Sequence, residues 1–107
     1  MSKVLVVGGG AAGMFAAIFA AYNGNEVHIF EKNEKLGKKL FITGKGRCNI
    51  TNASDMDTLF NSVVTNSKFL YSSFYGYTNQ DVIDFFERIG VKTKIERGNR
   101  VFPVSDH

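Results

Sequence analysis

Val4-Leu5-Val6-Val7-Gly8-Gly9-Gly10-Ala11-Ala12-Gly13 decides the fold of this chain. A short apolar run rich in β-branched residues reads as a buried strand. It runs straight into Gly8, Gly10 and Gly13, the GxGxxG spacing of a dinucleotide phosphate turn. Gly8 permits a sharp turn, Gly10 lets the backbone approach a pyrophosphate, and Gly13 lets the following helix pack closely on the strands. The amides around Ala11 and Ala12 open that helix as first-turn donors, and the helix dipole adds roughly half a positive charge beside them. Downstream, an apolar stretch reaches Tyr22, Asn23-Gly24-Asn25 stops it, and Val27-His28-Ile29-Phe30 forms a second strand ending on Glu31. An acid at that place accepts hydrogen bonds from ribose hydroxyls and disfavours a 2′-phosphate. The motif in this context predicts a strand-helix-strand dinucleotide unit over 1–32, without separating one dinucleotide from another.

The same stretch admits a competing reading. Residues 4–22 carry no charge, and Gly9 with Gly13 makes a GxxxG pair, as in a membrane helix or a secretory leader. Three adjacent glycines argue against one continuous helix, and the β-branched residues cluster only before them. The expectation is therefore no membrane association and a cytoplasmic location. Within the helix, Phe15, Ile18, Phe19 and Tyr22 form an apolar stripe, and Gly13, Ala17 and Ala21 form a ridge of small residues suited to close contact with a sheet. A helix this apolar needs cover on several sides.

The chain has 107 residues, 44% of them hydrophobic, with one proline, which fits a single small globular domain. The net charge of +3 is mild and largely local. Lys32, Lys35, Lys38, Lys39, Lys45 and Arg47 face only Glu31 and Glu34, making either a solvated loop or a positive rim around a diphosphate. Nucleic-acid binding is not expected, because the phenylalanines fall at core spacings rather than alternating with a basic face. Cys48 is the only cysteine, so an internal disulfide is excluded. One cysteine and two histidines cannot build an ordinary zinc site.

After Glu31 the composition turns to Lys, Gly, Asn and Thr. The reading is a long loop over 33–55 with a helical turn near Lys38 to Phe41, and loops of this length commonly bind something. Over 56–107 the pattern predicts short helices near Met56 to Val63 and Ser67 to Tyr75, with Phe60, Phe69, Tyr71, Phe74 and Tyr75 as core aromatics. A better-marked helix begins after Thr78, whose capping box is completed by Asp81. Val82, Phe85, Phe86 and Ile89 form its buried stripe, and Gly90 stops it. Val91 to Ile95 alternates as a strand with one wet face, Gly98-Asn99 turns, and Arg100 to Pro103 returns as a hairpin partner. A third buried parallel strand, which a dinucleotide half requires, is missing. The expected fold class is α/β: the N-terminal part of a Rossmann-like dinucleotide-binding domain, followed by a long loop, helices and a short antiparallel hairpin. The sheet is incomplete, and the chain is expected to be a portion of a longer protein.

Three segments together resemble one family. Val4 to Lys32 is similar to the N-terminal FAD fingerprint of two-domain flavoproteins. Gly37-Lys38-Lys39-Leu40 with Thr43-Gly44-Lys45-Gly46-Arg47-Cys48-Asn49-Ile50-Thr51-Asn52, and Glu96-Arg97-Gly98-Asn99-Arg100-Val101-Phe102-Pro103, resemble the BaiN-like (YhiN-type) NAD(P)/FAD-dependent oxidoreductases. The resemblance covers essentially the whole chain, and the middle segment is far more specific than the glycines. It implies FAD as the bound dinucleotide, with its adenosine half at Gly8, Gly10, Ala11, Ala12, Gly13, Glu31 and Lys32. It also implies Thr43, Gly44, Gly46 and Asn49 along the ribityl and flavin part, Lys39 and Arg47 near the phosphates or the flavin edge, and Cys48 adjacent. The positive charge of Lys39 and Arg47 in that position would favour an anionic reduced flavin. Position 53, where a CxxxxC partner for Cys48 would fall, is Ala53, so disulfide exchange is not implied.

The resulting expectation is a flavin-dependent oxidoreductase that passes hydride between NAD(P)H, FAD and an unsaturated or keto small-molecule substrate. No residue is assigned as catalytic acid or base. The 107 residues alone are expected to be inactive and prone to self-association through exposed apolar surface. Two alternatives stay open: a nicotinamide-only Rossmann dehydrogenase fragment and a non-catalytic nucleotide-binding fragment.

Overall fold

The computed structural model describes residues 1–107 apart from Gly44, and the chain forms two compact units, Met1–Gly46 and Arg47–His107. The first unit is the predicted strand-helix-strand. Strand β1 (Lys3–Val7) pairs in parallel with β2 (Glu26–Phe30), from Lys3 opposite Glu26 to Val7 opposite Phe30. Helix α1 (Ala11–Tyr22) connects them and packs on both. The strand period of two sorts the side chains: Val4, Val6, Val27 and Ile29 turn toward the helix and are half-buried, whereas Leu5, Val7 and Phe30 are exposed on the other face. The helix meets the sheet through Ala17, its one buried residue. Phe15 and Phe19 stack at 5.3 Å on the flank, while Ile18, Ala21 and Tyr22 are exposed. The small-residue ridge thus seats the helix at Ala17, and of the apolar stripe Phe15 and Phe19 are half-buried while Ile18 and Tyr22 are exposed. A short helix α2 (Lys38–Ile42) lies near the end of this unit, with Leu40, Phe41 and Ile42 all exposed.

The second unit is built on a three-stranded antiparallel sheet, in the order β3 (Thr51–Asn52), β5 (Arg100–Pro103), β4 (Thr93–Glu96). The β4–β5 hairpin turns through Gly98 and Asn99, both at positive φ (74° and 60°), as a glycine-asparagine pair favours. Its centre is the core: Val101 is fully buried and Phe102 is 3% exposed. Strand β3 was expected as loop. Two residues carry no periodicity, and the strand exists because Thr51 and Asn52 add to β5 opposite Val101 and Arg100.

Helix α5 (Asn79–Arg88) starts as predicted. Asp81 N–H donates to Thr78 Oγ1 at 3.0 Å, and Thr78 N–H donates to Asp81 Oδ2 at 2.9 Å, closing the capping box. Its buried residues are Ile83 and Phe85; Val82 and Phe86 are half-buried and Ile89 is 52% exposed. The expected stripe was therefore rotated and one residue too long. The helix packs on both β3 and β4, which widens its buried sector to include Ile83, and Ile89 lies at the C-cap beyond the last helical turn. Asn79 fastens it to β3 by donating Nδ2 to the carbonyls of Asn52 (2.6 Å) and Ser54 (2.7 Å).

Helices α3 (Met56–Asn61) and α4 (Tyr71–Gly76) hold an aromatic cluster, in which Phe60 meets Tyr71, Phe74 and Tyr75 at 5.2–5.7 Å. Only part of the expected aromatic core is covered. Phe60 and Phe74 are half-buried, Tyr71 and Tyr75 expose about half of themselves, and Phe69 projects into solvent.

Candidate functional site

The glycine turn shows which of its positions serve the fold and which leave room for a ligand. Gly8 has φ +98° and donates its N–H to Phe30 O at 2.7 Å, closing the turn onto the end of β2. A Cβ at Gly13 would stand 1.8 Å from Gly8 O, so backbone and helix touch there. A Cβ at Gly10 would meet nothing within 4 Å. Gly10 is also the N-cap of α1, which has no side-chain cap and no acidic residue in its first turn. The first helical hydrogen bond inward is Met14 N–H to Gly10 O at 2.9 Å. The first-turn amides of Ala11, Ala12 and Gly13 precede it and point outward along the axis, toward the side left open at Gly10.

Glu31 stands beside this turn. Its Oε1 accepts from Gly9 N–H and its Oε2 from Asn33 N–H, both at 2.8 Å. The amide of Asn33, then that of Gly9, holds the carboxyl below the usual range, so it is ionised near neutrality. A carboxylate has about four acceptor sites, and these two bonds leave capacity for ribose hydroxyls. Glu31 therefore has a structural task that its place in the motif did not disclose: it ties the turn to the end of β2. Val7, Gly8, Ile29, Phe30, Glu31, Lys32 and Asn33 line an open cleft of about 670 Å³ at the carboxyl ends of both strands, the place where open α/β sheets bind ligands.

Three further residues shape the turn. Gly9 is buried, and a Cβ there would come within 2.3 Å of Leu36 Cδ2. Gly37 N–H donates to Gly9 O at 2.8 Å, at a backbone φ of +70°. The segment after Glu31 thus doubles back on the glycines. Gly9 stands inside the motif at a position the spacing leaves free. Gly37 opens one of the specific segments, which was the available signal.

Gly8, Gly10, Ala11, Ala12, Gly13, Glu31 and Lys32 are brought together in this way. Lys39 lies exposed on α2 of the same unit, where Thr43 is the C-cap and Gly46 follows at φ +83°. Gly44 lies outside the described residues. Arg47, Cys48 and Asn49 belong to the second unit. Arg47 Nη2 donates to Glu96 Oε2 at 2.6 Å and to Asp106 Oδ1 at 2.8 Å, and its guanidinium lies 3.8 Å from the centre of the Phe102 ring. Cys48 is exposed, with its N–H donated to Asp106 O at 2.9 Å. Asn49 donates Nδ2 to the carbonyls of Thr51 and Val101. Among the described residues no group of His, Cys, Asp or Glu is arranged to hold a metal, and no helix is long and apolar enough to cross a membrane.

The model of the HI0933-like protein Rossmann domain matches residues 2–107. The chain belongs to this family. The α/β reading and the resemblance to BaiN-like (YhiN-type) proteins both stand. The chain is 33% identical over 108 residues to a 3-dehydro-bile acid delta(4,6)-reductase of Clostridium scindens, covering 99% of this chain and 26% of that protein. It is 34% identical over 90 residues to a ribosomal RNA dihydrouridine synthase of Haemophilus influenzae, covering 84% of this chain and 22% of that one. A shorter match, 58% over 40 residues, joins 37% of it to 6% of an NADH oxidase of Thermoanaerobacter brockii. The chain therefore spans about a quarter of the length of the relatives it matches along most of its own.

Proposed function

We propose that this chain is the FAD-binding N-terminal portion of a flavin-dependent oxidoreductase, in which hydride passes between NAD(P)H, FAD and an unsaturated or keto small-molecule substrate. The observation that carries the reading is the division of labour in the glycine turn. Gly13 admits no side chain because of the fold, while Gly10 is open and faces space in front of a helix N-terminus. An anionic diphosphate fits that combination, because the first-turn amides and the dipole favour negative charge and, among the described residues, none crowds a side chain at Gly10. Glu31, ionised and with acceptor sites to spare, suits a ribose, and the cleft beyond it suits an adenosine.

The choice of FAD over a nicotinamide nucleotide rests on the Thr43 to Asn52 segment and on family membership. Flavin, when bound, supplies the hydride chemistry. The residues of this chain bind and orient. Gly8, Gly10 and Gly13 shape the phosphate cradle, Ala11 and Ala12 donate backbone N–H groups, and Glu31 holds the ribose. Lys32 and Lys39 add positive charge to the first unit, beside a diphosphate carrying negative charge. The relatives' names bear on the double bond and not on the size of the substrate: a bile-acid delta(4,6)-reductase and a ribosomal RNA dihydrouridine synthase both denote saturation of a carbon–carbon double bond.

The test is to express the protein to its natural length and examine it for bound flavin. A yellow protein that releases FAD on denaturation is expected. A colourless protein that binds a nicotinamide nucleotide but not FAD would transfer the glycine turn to a nicotinamide-only enzyme.

A further inference from the structure

The two specific segments of the sequence, one around Arg47-Cys48-Asn49 and one from Glu96 to Pro103, meet in the second unit. Arg47 is the joint. Its guanidinium presents a planar fork of donors, of which Nη2 serves both Glu96 Oε2 and Asp106 Oδ1, and it lies across the ring of buried Phe102. Lys94 Nζ bridges the same two oxygens at 3.3 and 2.8 Å. Two cations face two carboxylates, so the group carries no net charge. Around this joint the backbone is fastened too. Cys48 N–H reaches Asp106 O, Ile50 N–H reaches Val101 O at 2.8 Å, and β3 pairs with β5.

We infer that Glu96 and Asp106 are positioning residues: through Arg47 they clamp residues 47–52 to the β4–β5 hairpin and so fix the shape of a segment that contributes to the flavin site. The inference rests on the FAD reading for its purpose but not for its geometry. Each ion pair is partly exposed, with side chains 30–40% accessible, and one such pair alone contributes little. A network of four charges with ring stacking is the arrangement in which such pairs count. It also changes the role of Arg47. A guanidinium held by two carboxylates acts through Cys48 and Asn49, not as a free charge on the flavin. Lysine cannot replace it, because an ammonium can reach both acids, as Lys94 does, but has no planar face to lie flat on Phe102.

The experiment uses the protein at its natural length, with Arg47→Lys, Arg47→Ala, Glu96→Gln, Asp106→Asn and the double variant Arg47→Ala/Glu96→Gln. Flavin affinity, flavin reduction potential and amide exchange of residues 47–53 in the flavin-free protein are measured. Glu96→Gln and Asp106→Asn are expected to weaken FAD binding about three- to tenfold and to speed exchange at Cys48 and Ile50. The potential should stay where it is. The double variant should bind no worse than Arg47→Ala alone, and Arg47→Lys should not rescue. Unchanged exchange and affinity in the two carboxylate variants overturn the clamp. So does a potential that shifts with Arg47→Ala and not with Glu96→Gln, which would put the guanidinium on the flavin. If the wild-type protein binds no flavin, the functional reading falls, and exchange alone still decides the clamp.

Discussion

The glycine turn and the arginine clamp are built in opposite ways. In the turn, the backbone does the work and side chains are excluded. Gly13 touches Gly8 O, Gly9 is enclosed by Leu36 and Glu31, and Gly10, where a side chain would meet open space, stands at the helix N-terminus. In the clamp, side chains do the work and the charges are consumed internally, Arg47 and Lys94 by Glu96 and Asp106. The first arrangement leaves unspent hydrogen-bonding capacity for a ligand. The second spends its charges on one another, which is the property of a support rather than of a receptor. The motif containing both Gly46 and Arg47 therefore mixes two kinds of residue, and their conspicuousness in the sequence does not say which is which.

The sharpest way to break the turn is Gly13→Ala. The new Cβ would stand 1.8 Å from a backbone oxygen that no rotamer can move. A loss of about 3 kcal/mol in unfolding free energy is expected, at the upper end for overpacking, with loss of FAD binding. A urea titration checks it. Gly9→Ala should cost less, because its clash is with the end of the flexible Leu36 side chain. If Gly9→Ala proves the more damaging, the contact between α1 and the turn is not the constraint claimed for it.

A smaller effect tests the one part of the second unit that is encoded locally. Thr78→Ala removes the hydroxyl that accepts from Asp81 N–H and should lower stability by about 1 kcal/mol, read as a shift in the denaturant midpoint. Glu96 and Asp106, by contrast, lie 49 and 59 residues from Arg47. That difference explains what could be read in advance. Helix α1 and the capping box depend on neighbours within a turn or two, which periodicity and turn chemistry report directly, and β1 and β2, though paired across the whole of α1, are announced by the glycine spacing between them. The two residues of β3, the burial of Ile83 and the partners of Arg47 depend on which strand lies alongside, and no local pattern carries that. Glu31 is intermediate: its place at the strand end was legible, but its bond to Gly9 required the turn to be folded first.

Acid should dissect the same two regions. The bonds from Lys94 and then Arg47 hold Asp106 down to about 2, below the ordinary 3.8, and Arg47 holds Glu96 down as well. A depressed carboxyl contributes stability that is complete above its unfolded value and is lost as pH falls through its folded value. The Asp106 side of the clamp should thus persist through pH 3.8 and open only as pH approaches about 2. Because the groups are exposed and screened, the loss should be modest and smaller at high salt. Carboxyl resonances followed by NMR would show it, and an Asp106 midpoint at the ordinary 3.8 would mean that the clamp does not persist in solution.

The smallest expected effect on the fold is the most informative about function. Gly10→Ala adds a methyl group where no atom lies within 4 Å, at a backbone φ of −83° that alanine adopts freely. Stability should be unchanged or higher by about 0.4–1 kcal/mol, since alanine reduces the freedom of the unfolded chain. Dinucleotide affinity should nevertheless fall, because the methyl group occupies the approach to the first-turn amides. A variant that melts as well as the parent and still loses FAD assigns the open side of the turn to the ligand. If it keeps its FAD affinity, the space at Gly10 is not where the diphosphate lies, and the turn is a folding device like the glycines on either side of it.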